Sequence, residues 1–219
     1  LASGFAEGIS PIYADHAKGS RFVDVDGNEF IDWVNAVSAI ILGHHDEVVD
    51  NAVKEQIDRG SIYTVNSPKE VELAEELIDT IPSAEMVKYG KGGGDACAIA
   101  ARIARGATGK DIILFSGYHG WHDWYQSANH LDFPNLVTGV GGMGVPKALA
   151  GTAIPFGEFD TNRLQDLFDE HKGKVAAVMM EPVRSTDPPE GYLESVKALC
   201  HKNNAILIFD EVSCGWRIA

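Results

Sequence analysis

The 219 residues are 45% hydrophobic and 23% charged, the balance of a folded globular chain long enough for one large domain with a smaller appendage. Eighteen Lys and Arg against 32 Asp and Glu give a formal net charge of -14 with no basic stripe, which argues against nucleic acid as a partner. No apolar run approaches the ~20 residues that span a bilayer, and the opening residues lack the basic start and apolar stretch of a signal peptide, so membrane is not an expected partner and the cytoplasm is the expected location.

In chain order, residues 21–34 alternate as two short strands about an Asp26-Gly27 turn. Residues 45–59 carry Val48, Val49, Ala52, Val53 and Ile57 at helical spacing. Ser67 and Glu70 form a capping-box pattern with Pro68 at a position that needs no N–H, and Leu73, Ala74, Leu77 and Ile78 supply the apolar stripe of the helix that follows. Beyond this point the rhythm changes. Buried strands are predicted at 86–89, 111–115, 152–156, 175–180 and 205–209, and helices at 96–107, 162–171 and 193–203. Residues 131–151 read as a long glycine-rich loop. Short apolar runs alternating with helices predict an α/β fold with a mainly parallel sheet covered on both faces, where ligands collect beyond the carboxyl ends of the strands. The expected division is an N-terminal segment, 1–60, and a larger ligand-binding domain, 61–219.

Three segments could carry chemistry. Gly90-Lys-Gly-Gly-Gly-Asp-Ala96 lies between a strand and a helix, where glycines admit close approach of a ligand and helix N–H groups attract an anion. It suits a phosphate, or else it is an ordinary turn with Asp95 as N-cap. It is neither a Walker A loop nor a dinucleotide fingerprint. Gly117-Tyr-His-Gly-Trp-His-Asp-Trp-Tyr125 crowds aromatic rings and histidines after a strand, which suits a flat heterocycle or simply packs a loop on the core. A metal set of His119, His122 and Asp123 is the weaker reading, and no metal is expected. The third segment, Ala205-Ile-Leu-Ile-Phe-Asp-Glu-Val212, ends an apolar strand in two carboxylates. Such an acid can keep a pyridine nitrogen protonated, or it can cap the next element. Cys97, Cys200 and Cys214 have neither paired nor metal-type spacing and read as reduced, mostly buried thiols.

Together these segments resemble the class III aminotransferases, the group of pyridoxal-phosphate (PLP) enzymes that includes glutamate-1-semialdehyde 2,1-aminomutase. The resemblance runs from about Phe22 to Ala219. Its anchors are Val23-Asp-Val-Asp-Gly-Asn-Glu-Phe-Ile-Asp32, Leu42-Gly-His44, Gly90-Lys-Gly-Gly-Gly-Asp-Ala96, Ile103-Ala-Arg-Gly-Ala-Thr-Gly109, Tyr118-His-Gly120, Glu181-Pro-Val183 and Phe209-Asp-Glu-Val212. It implies a large-domain portion of fold type I and amino-group transfer, by an aminotransferase or aminomutase, between an amine donor and a carbonyl substrate in a homodimer.

Position by position, the resemblance implies PLP phosphate bound by the backbone at Gly93 and Gly94, a pyridine ring stacked on Tyr118 with His119 supporting that loop, Asp210 paired with the ring nitrogen, and Val212 against the opposite ring face. Two departures stand out: Gly94 occupies a position where the family usually has Ser or Thr, and Val37 stands where the aminomutase has Trp. The Schiff-base lysine of the family falls some thirty residues after the Asp of Asp-Glu-Val. No catalytic residue is therefore expected within these 219, and the chain alone is expected to be inactive. The alternative is a non-catalytic, truncated or accessory protein of the same fold that binds a phosphate-bearing ligand.

Overall fold

The computed structural model describes residues 8–131 and 142–217, in two compact units that divide between Val87 and Lys88. The sequence-based boundary at 60/61 differs in leaving helix 68–80 outside the N-terminal segment; that helix belongs to the first unit.

The first unit holds an antiparallel sheet of β1 (Ala14–Lys18), β2 (Arg21–Asp24) and β3 (Glu29–Ile31) in sequential order. Phe22 lies opposite Phe30, and their rings stack with centroids 5.3 Å apart. The buried Asp24 carboxylate ties the β2–β3 turn by accepting from the N–H of Asp26 and of Asn28, at 3.0 and 2.8 Å. A single turn with left-handed backbone, α1 (Asn35–Ser38), follows. The amphipathic helix α2 (Glu47–Asp58) is capped by Asp46, and α3 (Pro68–Thr80) begins with the expected capping box of Ser67 and Glu70, with Pro68 at its first turn. Neither α2 nor α3 buries a residue.

The second unit is built on a four-stranded parallel sheet of β4 (Ile112–Ser116), β5 (Ala153–Pro155), β6 (Val175–Met180) and β7 (Ile206–Phe209), in the order β5-β4-β6-β7. Its helices are α4 (Gly93–Thr108), the short α5 (Asp123–Gln126), α6 (Thr161–Glu170) and α7 (Tyr192–Lys202). Successive strand residues face opposite sides of the sheet. Leu114, Val178 and Met180 pack with Leu164, Leu167 and Phe168 of α6 and with Val196 and Cys200 of α7. Ile113, Phe115, Ala177 and Met179 pack with Cys97, Ala101 and Ala104 of α4 and with Trp124 and Tyr125. Every residue of β6 is buried, which explains why its sequence runs apolar without alternating.

The strand predicted at 86–89 does not form. A strand needs a neighbour to take its N–H and C=O groups, and this stretch sits at the division between units with Met86 exposed. The helix predicted from residue 96 begins three residues earlier, at Gly93, with Gly92 and not Asp95 in the cap position. Of the loop predicted at 131–151, residues 132–141 lie outside the described residues; the remainder is turns and one short 3-10 segment, Lys147–Leu149.

Candidate cofactor site at the carboxyl ends of the strands

Four crossing points of the chain meet at the carboxyl edge of the parallel sheet: the start of α4, the loops after β4 and β6, and the residues after β7. α4 starts at a glycine with no side-chain cap, so its first N–H groups are free of an internal acceptor from the cap residue. The glycines there sit close against neighbouring side chains. A Cβ on Gly93 would lie 3.0 Å from Val212 Cγ2, and one on Gly94 3.0 Å from His122 Nδ1. Asp95, in the first turn, accepts a 3.1 Å hydrogen bond from His122 Nε2. The other ring nitrogen of His122 is buried with no hydrogen-bond partner among the described residues, as is Trp124 Nε1.

Two glycines shape the loop after β4. Gly117 has φ +113°, and a Cβ there would collide with the Glu181 carboxylate; Gly120 has φ +98° and abuts Gly94. Glu181, the first residue after β6, accepts from the Tyr118 N–H at 2.9 Å and lies 3.4 Å from Arg184 Nε. Tyr125 donates its hydroxyl to the Gly117 carbonyl at 2.9 Å, and its burial pushes the phenol up to about 12. The Tyr125 ring meets those of Tyr118 and His119 edge-on, with centroids 5.9 and 5.6 Å apart. Glu181 thus holds the Tyr118 backbone and Tyr125 braces its ring, while the Tyr118 side chain itself stays about half exposed.

The centre of the site is a buried acid. Asp210 follows β7 directly, and its backbone N–H continues the ladder to Met180 O at 2.8 Å. Its Oδ2 accepts from His119 Nδ1 at 2.7 Å and from Cys97 Sγ at 3.2 Å, and its Oδ1 accepts the Val212 N–H at 3.1 Å. Burial pushes the Asp210 carboxyl up, but the hydrogen bonds from His119, Val212 and Cys97 outweigh it and hold the acid below the usual carboxylate value. His119 is itself buried, with Nε2 3.2 Å from the Ser116 carbonyl. Cys97, His119 and Asp210 offer atoms within 4.8 Å of one another, an arrangement already accounted for by these hydrogen bonds.

All six residues singled out from sequence therefore lie around one edge. His119 and Asp210 touch directly, Asp210 binds the Val212 backbone, Val212 packs on Gly93, and Gly94 packs on the loop that carries Tyr118 and His119. Tyr118 and Val212 join this set through different neighbours, Tyr125 and Gly93 respectively. Sequence reasoning missed Cys97, read only as a buried thiol, and Glu181, to which no chemical role was attached. Neither has a local pattern that would reveal it, since each acts on a residue 63 or more positions away. A cavity of about 190 Å³ adjoins the site, lined by Gly117, Phe156, Phe159, Glu181, Arg184 and Tyr192 among others.

Residues 5–217 match the family model described as aminotransferase class-III. The chain is 37% identical over 220 residues to a 3-aminobutyryl-CoA aminotransferase of Cloacimonas acidaminovorans, covering 97% of this chain and 50% of that protein. It is 40% identical over 215 residues to a glutamate-1-semialdehyde 2,1-aminomutase of Methanobrevibacter smithii, covering 95% and 50%. Among solved structures, a transaminase with PLP bound superposes with a TM-score of 0.83 at 26% identity, covering 94% of this chain and 49% of that one. The chain thus spans about half the length of the curated relatives it matches.

Proposed function

Since this chain belongs to the class-III aminotransferase family, we propose that it forms the cofactor-binding part of a PLP-dependent enzyme that moves an amino group between an amine donor and a carbonyl acceptor. The single observation that carries this reading is Asp210: a buried carboxylate at the end of a parallel strand, held charged by hydrogen bonds from His119, Cys97 and Val212, with its Oδ1 engaged by one backbone N–H among the described residues. A carboxylate oxygen has room for a second donor, and a protonated ring nitrogen is the donor that such an acid suits.

The remaining residues fit the same group. The uncapped first turn of α4 at Gly93 and Gly94 suits a phosphate, through backbone N–H groups and the helix dipole. Tyr118, half exposed and braced by Tyr125, offers a ring face for stacking; Val212 offers an aliphatic surface for the opposite face. His119 fixes the orientation of Asp210 and supplies much of its stabilisation. When bound, PLP supplies a protonated pyridine ring that withdraws electrons from the substrate carbon being deprotonated. The chain's own share is to keep that ring nitrogen protonated at Asp210, to hold the ring plane at Tyr118 and Val212, and to anchor the phosphate. Under this reading these residues hold the cofactor, and the covalent link and the proton transfer are left to a lysine of the whole enzyme.

The proposed substrate is a small amine or carbonyl compound, handled by an aminotransferase or an aminomutase. A homodimer is part of the proposal. The apolar stripes of α2 and α3, which carry Val49, Val53 and Leu73, face solvent within this chain and offer surface for burial against further protein. Among the described residues no helix is long and apolar enough to cross a membrane. The test is to load the full-length protein with PLP, add a panel of primary amines, and follow the visible spectrum of the cofactor. Conversion by an amine, reversed by a carbonyl acceptor, supports the reading; a PLP spectrum that no amine or amino acid alters contradicts it.

A further inference from the structure

Cys97 is where the site departs from simple packing. It lies one turn into α4, on the face that packs against the sheet, and the other buried positions of that face are the alanines 101 and 104. A methyl group therefore suffices for packing at the two positions that follow it. The thiol at 97 brings the one polar side chain among these three buried positions, and it meets Asp210 Oδ2 at 3.2 Å across 113 residues of sequence. The same oxygen takes His119 Nδ1 at 2.7 Å, whereas Oδ1 takes only the Val212 N–H among the described residues.

The two oxygens of Asp210 are thus unequally loaded. Oδ2 is held by two side-chain donors on one side, and this fixes the rotation of the carboxylate about its terminal bond. Burial, followed by the charge of Asp210 and its hydrogen bond, raises the Cys97 thiol above its ordinary value, so it remains S–H and acts as a donor, not a nucleophile. Of the other titratable groups, Glu181 at the end of β6 also acts on the thiol, Cys214 after β7 feels the charge of Asp210 and of Glu211, and the Tyr125 ring packs edge-on against His119.

We propose that Cys97 is a positioning residue for Asp210: its S–H, together with His119, holds Oδ2 so that Oδ1 faces the ring nitrogen of the cofactor, and it tempers the basicity of that carboxylate. This rests on the PLP reading above. A carboxylate that loses one donor becomes more basic, so removal of the thiol strengthens the hold of Asp210 on the proton of the ring nitrogen. An S–H is a weak donor, and the expected effect is about half a pH unit, or about threefold in proton affinity.

The experiment is a pH titration of the ring-nitrogen NMR resonance of isotope-labelled PLP in the full-length protein and its Cys97→Ala, Cys97→Val and Cys97→Ser forms. The midpoint is expected to rise by about half a unit in the Ala and Val variants, with Ser, which keeps a donor, returning it towards the wild-type value. An unchanged midpoint in Ala and Val, or a Ser variant displaced as far as Ala, overturns the proposal while leaving PLP binding intact. A wild-type protein that gives no bound PLP resonance overturns the cofactor reading itself, and this proposal with it. Should none of the variants fold, the Raman S–H stretch decides. A wild-type band lowered by hydrogen bonding and displaced in Asp210→Asn supports the proposal, and free-thiol bands alone overturn it.

Discussion

Gly120 and Gly94 approach so closely that a Cβ on Gly120 would lie 2.6 Å from the Gly94 Cα, which locks the loop after β4 onto the first turn of α4. The contact joins the segment that carries Tyr118 and His119 to the segment proposed to hold a phosphate. Gly120 also has φ +98°, a backbone conformation that other residues rarely adopt. Gly120→Ala therefore combines a backbone clash with strain and is expected to destabilise the full-length protein by about 2 kcal/mol or more. Denaturant unfolding of the variant measures this directly; a loss under about 0.5 kcal/mol, the scale of an ordinary surface change, contradicts the close approach.

His119→Ala removes the strongest donor to a buried acid. Breaking one side of a buried pair costs about 3–5 kcal/mol because the remaining charge is left uncompensated, and here Cys97 and the Val212 N–H still serve Asp210, so the lower end of that range is expected. His119→Asn or Gln, which keeps an N–H donor, recovers part of the loss. Chemical denaturation of the three proteins at neutral pH checks the order wild type, amide variant, Ala.

Acid should weaken the fold through Asp210. Its carboxyl lies below the ordinary value of 3.8 in the folded protein, so the folded state favours the ionised form. The stabilisation is complete above the ordinary value and is lost as pH falls below it, through the depressed one. Stability measured against pH between neutral and about 2 is expected to fall less steeply in Asp210→Asn than in wild type.

Alkali acts through groups shifted the other way. Burial lifts the Cys200 thiol from 9.0 to about 12 and the Tyr125 phenol from 10.0 to about 12. Both stabilise the fold fully below their ordinary values, and that contribution disappears as pH rises towards the folded ones. Unfolding free energy is thus expected to decline from about pH 9 upwards, and Cys200→Ala is expected to flatten the lower part of that decline while lowering stability at neutral pH by leaving a small cavity. Urea unfolding at stepped alkaline pH tests it.

How much of this was legible in sequence depends on the range over which each signal acts. The capping box at Ser67 and Glu70 and the Asp26-Gly27 turn are local, and both form as their residue types require. The apolar run at 175–180 marks a strand covered on both faces because no other surroundings accept six consecutive apolar residues in extended form. The same reasoning fails at 86–89, where Met86-Val-Lys-Tyr89 lacks a pairing strand. The pairing of His119 with Asp210, and of Glu181 with the Tyr118 N–H, is set by the order of strands in the sheet, which brings β4, β6 and β7 side by side. Periodicity carries no record of that order, so the contact of Cys97 with Asp210 and the hold of Glu181 on the Tyr118 N–H could not be read before the fold was known.

Asp210, proposed as the acid that binds the ring nitrogen of PLP, is the residue on which every other assigned role depends. Equilibrium binding of PLP to the full-length protein and to Asp210→Ala, followed by the cofactor's visible absorbance, tests it most directly. Wild type is expected to retain PLP through desalting, and the variant is expected to bind at least about tenfold more weakly, the equivalent of about 1.4 kcal/mol, while remaining folded by circular dichroism. A folded Asp210→Ala protein that binds PLP as tightly as wild type, or a wild type that binds none, contradicts the account.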